Sequence, residues 1–344
     1  WRWMLGLETL PALMYFIFLL GVPESPRWLA MKGREKEALN ILTRVADTQQ
    51  ANRVLAALKE NLETDKIRKS VPLTELFKPA LRLVLLIGIV IAITQQITGI
   101  NAVFFYAPMI FEQTGIGTDA SFSQAILVGL TNLAFTVLAM YLIDRIGRKF
   151  LLVIGLSGIV VCMSLLSAGF GMATYKLDSE DVEVLKEKIE SPYWYKIQDI
   201  NYNSDLSFKK ALARNLGEDL LVKYESEFIN RAININPWLV LIGILGFVAS
   251  FAVSIGPVMW VLFSELFPNA VRAVAISFVG FINSGISFLV QLVFPWELAN
   301  LGSPFTFLLF GGFGALGLVF IIFMLPETKG KTLEELEIIL AKKT

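Results

Sequence analysis

The chain has 344 residues, 55% of them hydrophobic and only 17% charged, with a mean hydropathy of +0.62. Soluble domains carry roughly 25% charged residues, so this composition cannot cover a water-exposed surface. Thirty Lys and Arg balance thirty Asp and Glu, which leaves no net basic charge to attract nucleic acid. The chain contains no histidine, which excludes imidazole catalysis and most zinc and iron sites, and its lone cysteine, Cys162, excludes an intrachain disulfide. No cofactor and no metal are expected.

The apolar residues fall into seven stretches, 3–22, 83–111, 121–143, 150–175, 238–263, 274–296 and 303–325. Each is near or above the roughly 20 residues that carry a helix across about 30 Å of hydrocarbon. Helices satisfy their backbone groups internally, so an all-α membrane protein with a lipid bilayer around it is the expected fold class. Basic residues alternate between the connecting segments. Segment 24–80 carries eleven, 112–120 none, 144–149 three, 297–302 none and the tail after Leu325 four. The positive-inside rule then places 24–80, 144–149, 264–273 and 326–344 in the cytoplasm. Segment 176–237 falls outside; it has nine basic residues against twelve acidic ones, and long loops obey the rule weakly.

PESPRWLAMKGREKEAL follows the first stretch and PETKGKTLEELE follows the last. Pro-Glu commonly opens helices, so chance is one explanation. The six apolar stretches between the echoes favour duplication of a half. Residues 1–23 then read as the last helix of an N-terminal half, with its earlier helices missing from the chain. Residues 24–80 read as a cytoplasmic helical linker, 81–326 as a six-helix C-terminal half and 327–344 as a cytoplasmic tail. Within 34–63, Leu39, Leu42, Val45, Val54, Leu55, Leu58 and Leu62 recur at helical spacing among charges, which predicts surface helices. In 176–237, the stripes Val182, Leu185, Ile189 and Leu212, Leu216, Leu220 predict a helical extracytoplasmic insertion, with Ser207 as a candidate cap.

The second apolar stretch is interrupted by QQITGIN. Gln95, Gln96, Thr98 and Asn101 offer donors and acceptors without charge, which suits a neutral polyhydroxylated ligand. The alternative is interhelical bonding, common for amides in membrane helices. On an ideal helix Gln95 and Gln96 lie about 100° apart and Asn101 roughly 140° beyond Gln96. Convergence therefore needs a break, for which Gly99 and Pro108 are candidates. In the fifth stretch, Gly256 and Pro257 are expected to weaken the helix, and Trp260 follows within a turn. An indole face packs against the C–H face of a sugar, and its N–H bonds a hydroxyl. Asn132 and Asn283 are further lone amides. Asp144, Arg145, Arg148, Glu265 and Arg272 could form a cytoplasmic charge latch; the alternative is a solvated loop.

These motifs resemble the sugar porters of the major facilitator superfamily, which include the glucose facilitators and the bacterial xylose–proton symporter. PESPRWL at 23–29, QQITGIN at 95–101, DRIGRK at 144–149, GPVMWVLFSELFPNAVR at 256–272 and PETKGKTLEELE at 326–337 carry the resemblance, in the family's order. Segment 176–236 is longer than the family's usual loop. The family has twelve spans, so the resemblance implies that this chain corresponds to helices 6 to 12. It implies that Gln95, Gln96, Asn101, Asn132, Trp260 and Asn283 line a monosaccharide site, hexose or pentose. It implies an external gate at Phe105 and Tyr106, alternating access between two halves, and a plasma-membrane location, the inner membrane in a bacterium. Ser284 stands where the family often has Trp, which bears on pocket size.

Glu8 lies within the first apolar stretch. An ionisable group inside a span is by default a functional hypothesis, although one near the interface can reach headgroup water. In the xylose–proton symporter pattern an acidic residue precedes PAL in this helix, as in LETLPAL here. The resemblance therefore implies a proton as the coupled partner. Facilitated uniport is the second reading. A non-transporting sugar receptor is a third, disfavoured by the short C-terminal tail. A membrane enzyme is disfavoured because the spans hold no nucleophile–base pair and no paired carboxylates.

Overall fold

The computed structural model describes residues 6–44, 47–56, 72–112, 114, 118–268 and 271–330. The chain divides into two compact units, Trp1–Val71 and Pro72–Thr344.

In the first unit, α1 spans Thr9–Leu20 and is exposed all round. Its twelve residues rise about 18 Å, against the roughly 30 Å of a bilayer core. Among the described residues, six helices are long and apolar enough to cross a membrane, not seven. Ser25 caps α2 (Pro26–Met31) by accepting the Trp28 N–H, and Pro26 occupies the first turn, where its missing N–H is harmless. α3 spans Glu35–Leu42, and a further helical segment, 48–56, is capped by Asp47, whose Oδ1 accepts the Gln50 N–H. Leu29, Ala38 and Leu55 are buried together, with Leu39 and Leu42 against them, as helical spacing predicts. Val54 faces outward instead. Val45, Leu58, Leu62 and the tail 331–344 lie outside the described residues.

The second unit holds the six long helices. The first is broken into α4 (Arg82–Ile97) and α5 (Ile100–Glu112). α6 (Thr118–Ile146) and α7 (Arg148–Gly171) follow. The fourth is broken into α11 (Pro237–Val253) and α12 (Ile255–Leu266), and α13 (Arg272–Leu301) and α14 (Ser303–Met324) complete the bundle. α7 lies at the centre of one layer, against α14 and α11; α13 packs on α4, and α5 on α6. Lipid supplies no hydrophobic drive between helices, so close approach of small residues must hold them. A methyl group on Gly155 would meet Ser254 Oγ at 1.7 Å, and one on Gly158 would meet Ser250 Oγ at 2.3 Å. On α14, a methyl on Gly317 would meet the Thr94 side chain of α4 at 2.3 Å.

Between α7 and α11 the chain folds into a small helical cap rather than a loose loop. β1 (Thr174–Tyr175) pairs with β2 (Ile233–Asn234) and closes its stem. α8 (Ser179–Lys186), α9 (Asp205–Leu216) and α10 (Glu218–Ala232) surround a core of Tyr175, Val182, Leu185, Trp194, Phe208 and Phe228. Both predicted stripes turn inward: Val182, Leu185, Ile189 and Leu212 are buried, with Leu216 and Leu220 packed against them. Asp178 forms a reciprocal capping box with Asp181 on α8. Ser204, not Ser207, caps α9: Ser204 Oγ accepts the Ser207 N–H at 3.2 Å, because Ser207 already lies inside the first turn.

Asp205 fastens this cap to the bundle. It is buried at the start of α9, and its carboxylate accepts the Ser303 N–H at the start of α14. A methyl on Gly302, the residue before α14, would crowd Asp205 Oδ1 at 3.0 Å. Burial pushes the Asp205 carboxyl above its usual range, against the lowering effect of Lys209 and the backbone N–H groups. An acid raised on folding binds its proton more tightly in the native state. Its contribution is complete below the ordinary carboxylate pKa and fades as pH rises through the raised value. Asp205→Asn keeps an acceptor for Ser303 without the charge, so thermal unfolding of the variant should lose less stability than wild type between about pH 4 and neutrality. An identical pH profile for the two would show that Asp205 does not titrate in that window.

Candidate functional site

Gly99 makes the break that the amides require. Its φ of +88° is a left-handed conformation, and a methyl there would meet the Phe310 ring at 2.4 Å. α4 therefore stops at Ile97, α5 restarts at Ile100, and Asn101 swings round to the Gln96 side. Pro108 makes no break, since α5 continues through it. The second break falls at Ser254 (φ −127°, ψ −106°), not at Gly256 and Pro257. Pro257 sits in the first turn of α12, where an N–H would lack a helical partner in any case.

The two breaks gather a network of uncharged groups from α4, α5 and α13. Gln95 Nε2 donates to the carbonyls of Ile255 and Gly256 at 3.3 and 3.2 Å. Asn283 Nδ2 donates to Gln95 Oε1 at 2.7 Å and to the Ala92 carbonyl at 3.0 Å. Gln96 Nε2 donates to Asn283 Oδ1 at 3.1 Å and to Gln95 Oε1 at 3.2 Å. Asn101 Nδ2 donates to Gln96 Oε1 at 2.9 Å and to Ser287 Oγ at 2.7 Å. Gln95 and Asn283 are buried and spend their capacity on one another and on backbone, so their first role is interhelical bonding. Thr98 departs from the expected set. It is buried on the α14 side and donates to the Gln95 carbonyl.

A cleft of about 390 Å³ opens beside this network, lined by Gln95, Gln96, Asn101, Asn132, Trp260 and Asn283. That volume falls in the usual range for a small-molecule site, about 300–1,000 Å³. Asn132 and the indole N–H of Trp260 have no hydrogen-bond partner among the described residues, and Trp260 is 47% exposed. Trp260 meets Phe263 edge-on at 6.0 Å, which leaves an indole face free. Among the described residues, no charged one lines the cleft. The arrangement suits a neutral ligand with several hydroxyls and an apolar ring face.

The two expected gate residues separate. Tyr106 packs on Phe294 of α13 at 5.1 Å, and Phe294 stacks on Phe310 at 6.0 Å. Phe105 points away and is exposed, because successive helical side chains lie about 100° apart. Glu8 precedes α1 in an exposed position, and its side chain makes no capping bond.

At the end of the bundle carrying 144–149, a three-residue charge cluster forms. Arg148 Nη2 lies 2.8 Å from both Asp144 Oδ1 and Glu265 Oε1, and Nη1 donates to the Ile143 carbonyl at 3.0 Å. Arg145 and Arg272 stay outside it. Arg145 lies over the Tyr141 ring at 4.0 Å and donates to its hydroxyl, while Arg272 Nε donates to the Phe267 carbonyl. Two unexpected residues complete the cluster. Glu327 accepts the N–H groups of Arg148 and Lys149 at 3.0 and 3.1 Å, placing a carboxylate on the positive end of α7. Thr328 Oγ1 donates to Glu265 Oε2 at 2.7 Å. Gly147, at φ +102°, leaves the space that Glu327 fills. PETKG at 326–330 carried the signal, but Pro-Glu reads as a helix start, and here Glu327 caps a helix distant in sequence. Thr136 and Ser287 were also missed; each lies four residues, one turn, after a quoted amide, Asn132 and Asn283.

The family model described as "Sugar (and other) transporter" matches residues 1–185 and 224–340. The chain belongs to this sugar transporter family. The unmatched internal residues, 186–223, form the middle of the cap. Two relatives are each 33% identical over 98% of this chain: the arabinose–proton symporter of Bacillus subtilis (strain 168) and the D-xylose–proton symporter of Escherichia coli (strain K12). The chain spans 59% and 56% of their respective lengths. A solved structure of the proton:xylose symporter XylE, a major facilitator superfamily protein bound to 6-bromo-6-deoxy-D-glucose, matches with a TM-score of 0.66 and 31% identity. The match covers 99% of this chain and 59% of that one. The chain thus has the all-helical major facilitator fold and is a multi-pass membrane protein.

Proposed function

We propose that the protein is a monosaccharide–proton symporter of the plasma membrane, working by alternating access. The observation that carries this is the uncharged cleft: amides from three helices, the unpaired Asn132 and the free Trp260 face converge with no ion to attract a charged solute. The relatives' names, an arabinose–proton and a D-xylose–proton symporter, support sugar and proton as the pair. In this reading the chain corresponds to helices 6 to 12 of a twelve-helix architecture, with α1 as part of the sixth. Its share of the relatives' length, 56–59%, is close to seven twelfths. The cleft is then one wall of the sugar site, and the other half supplies the opposite wall. The sugar shifts the equilibrium between states only through its differential affinity for them. The cap lies on the extracytoplasmic side and the Arg148 cluster on the cytoplasmic side.

Glu8 is the residue in this chain that we assign to proton coupling. Its exposed position just before α1 keeps facilitated uniport as the second reading. Two variants of the full-length protein separate these possibilities. Asn101→Ala removes a donor at the cleft and is expected to weaken sugar binding by about 1–3 kcal/mol, ten- to a hundredfold. Glu8→Gln should abolish proton-driven accumulation while sugar exchange survives. Unchanged affinity in Asn101→Ala would return the amides to a structural role. Sugar uptake by wild type without alkalinisation of the medium would establish uniport.

A further inference from the structure

Glu112 ends α5, and the cap reaches it there. Ser226 of α10 donates to Glu112 Oε2 at 3.5 Å, the outer limit of a hydrogen bond. Among the described residues, no Lys or Arg pairs with Glu112. The next carboxylate, Glu225, is already engaged: its Oε1 lies 2.7 Å from Nζ of Lys209 on α9, whose side chain is only 16% exposed. These four residues surround one cavity of about 220 Å³. The cap contributes α9 and α10 to its walls, and the bundle contributes α5 and α13, so cap and bundle enclose it together. It shares no residue with the cleft. Met109 of α5, Ile229 of α10 and Leu298 of α13 give it an apolar side. Two carboxylates against one ammonium leave one negative charge, and it falls on Glu112. At about 30 Å³ for each water, the space holds about seven, more than a bare ion fills.

We propose that the joint between cap and bundle is a second binding site, for a small organic cation of the primary alkylammonium class. Such a group brings three N–H donors, which suit the Glu112 carboxylate, the Ser226 hydroxyl oxygen and the free oxygen of Glu225. A short alkyl chain covers Met109, Ile229 and Leu298, which an inorganic cation leaves against water. The soft Met109 side chain adapts to chains of different length. The occupant touches α10 of the cap and the end of α5 at once, so it bridges the two. The site is independent of the sugar reading of the cleft.

Isothermal titration of the purified full-length protein with n-butylammonium, at fixed ionic strength, tests this. Binding should be saturable and at least about tenfold tighter than that of n-butanol, which has the chain without the charge. Glu112→Gln should weaken n-butylammonium about tenfold or more, the loss expected of a hydrogen bond to a charged group. Ala299→Phe changes an exposed residue at the cavity's edge and leaves every carboxylate in place. It should weaken the same probe by filling the space. Absence of saturable binding overturns the site. So does binding that both variants leave within about twofold of the parent. Equal affinity for n-butanol would reduce it to apolar partition, and equal displacement by equimolar sodium would reduce it to general attraction of cations; either result overturns the proposal.

Discussion

On the proposed alternating-access mechanism, Arg148→Ala is expected to loosen the end of the bundle carrying 144–149 and shift the protein about thirtyfold toward the state open to the cytoplasm. The Arg148 side chain is only 12% exposed and engages Asp144, Glu265 and the Ile143 carbonyl together. Removing one partner of a fully buried ion pair costs about 3–5 kcal/mol. Asp144 lies mostly in solvent and Glu265 keeps the Thr328 hydroxyl, so about 2 kcal/mol is the better expectation, equivalent to the thirtyfold shift. The measurement is the labelling rate of Leu292→Cys, an exposed position in the C-terminal half of α13, in a Cys162→Ala background. Labelling should slow in Arg148→Ala, and Arg148→Lys should recover part of the rate, since an ammonium restores charge without the guanidinium fork. A rate within about twofold of the parent would limit the cluster to bracing the six helices without biasing the states.

The second large effect is expected at Gly99. Alanine there meets two independent penalties. A left-handed residue with a Cβ costs about 1–2 kcal/mol, and the new methyl would overlap the Phe310 ring. Overpacking of this kind adds about 1–3 kcal/mol. Phe310 cannot simply withdraw, because it is stacked on Phe294, which holds Tyr106. Gly99→Ala should therefore lose about 2–5 kcal/mol in thermal unfolding and carry Asn101 away from Gln96. Trimming the ring in Gly99→Ala with Phe310→Ala should relieve the overlap and leave the backbone penalty. If the double variant is no better than the sum of the two single ones, the ring contact is not the source.

The amides were legible because polar side chains stand out in an apolar run. Gly99 was legible as their break because no ideal helix brings Gln96 and Asn101 together. Ser254 was not, since its unusual backbone goes with contact against Gly155 of α7, while the local signal, Gly256–Pro257, lies two residues later. The charge pattern marked the 144–149 cluster but could not tell Arg148 from Arg145. Only the fold decides which guanidinium reaches Glu265 and which settles on Tyr141. The cap's stripes showed that it is folded, but not that one carboxylate, Asp205, would meet an N–H almost a hundred residues away. Glu8 is the reverse case. Its sequence context carries the hypothesis, and its exposed position in the first unit adds no partner to it.

The missing methyl groups along α7 have a mechanical consequence. At Gly155 and Gly158 the helix meets Ser254, at the break, and Ser250 of α11 with no room for a carbon atom, and Gly311 and Gly314 of α14 give it close passage on another side. Such seams resist both sliding and axial rotation, because either motion drives a side chain into backbone. Glu327 pins the α7 end, and Asp205 pins the start of α14. Any displacement within the bundle must therefore carry α7, α11 and α14 as a single stiff block. The compliance is left to α5 and α12, which follow the breaks at Gly99 and Ser254 and line the cleft.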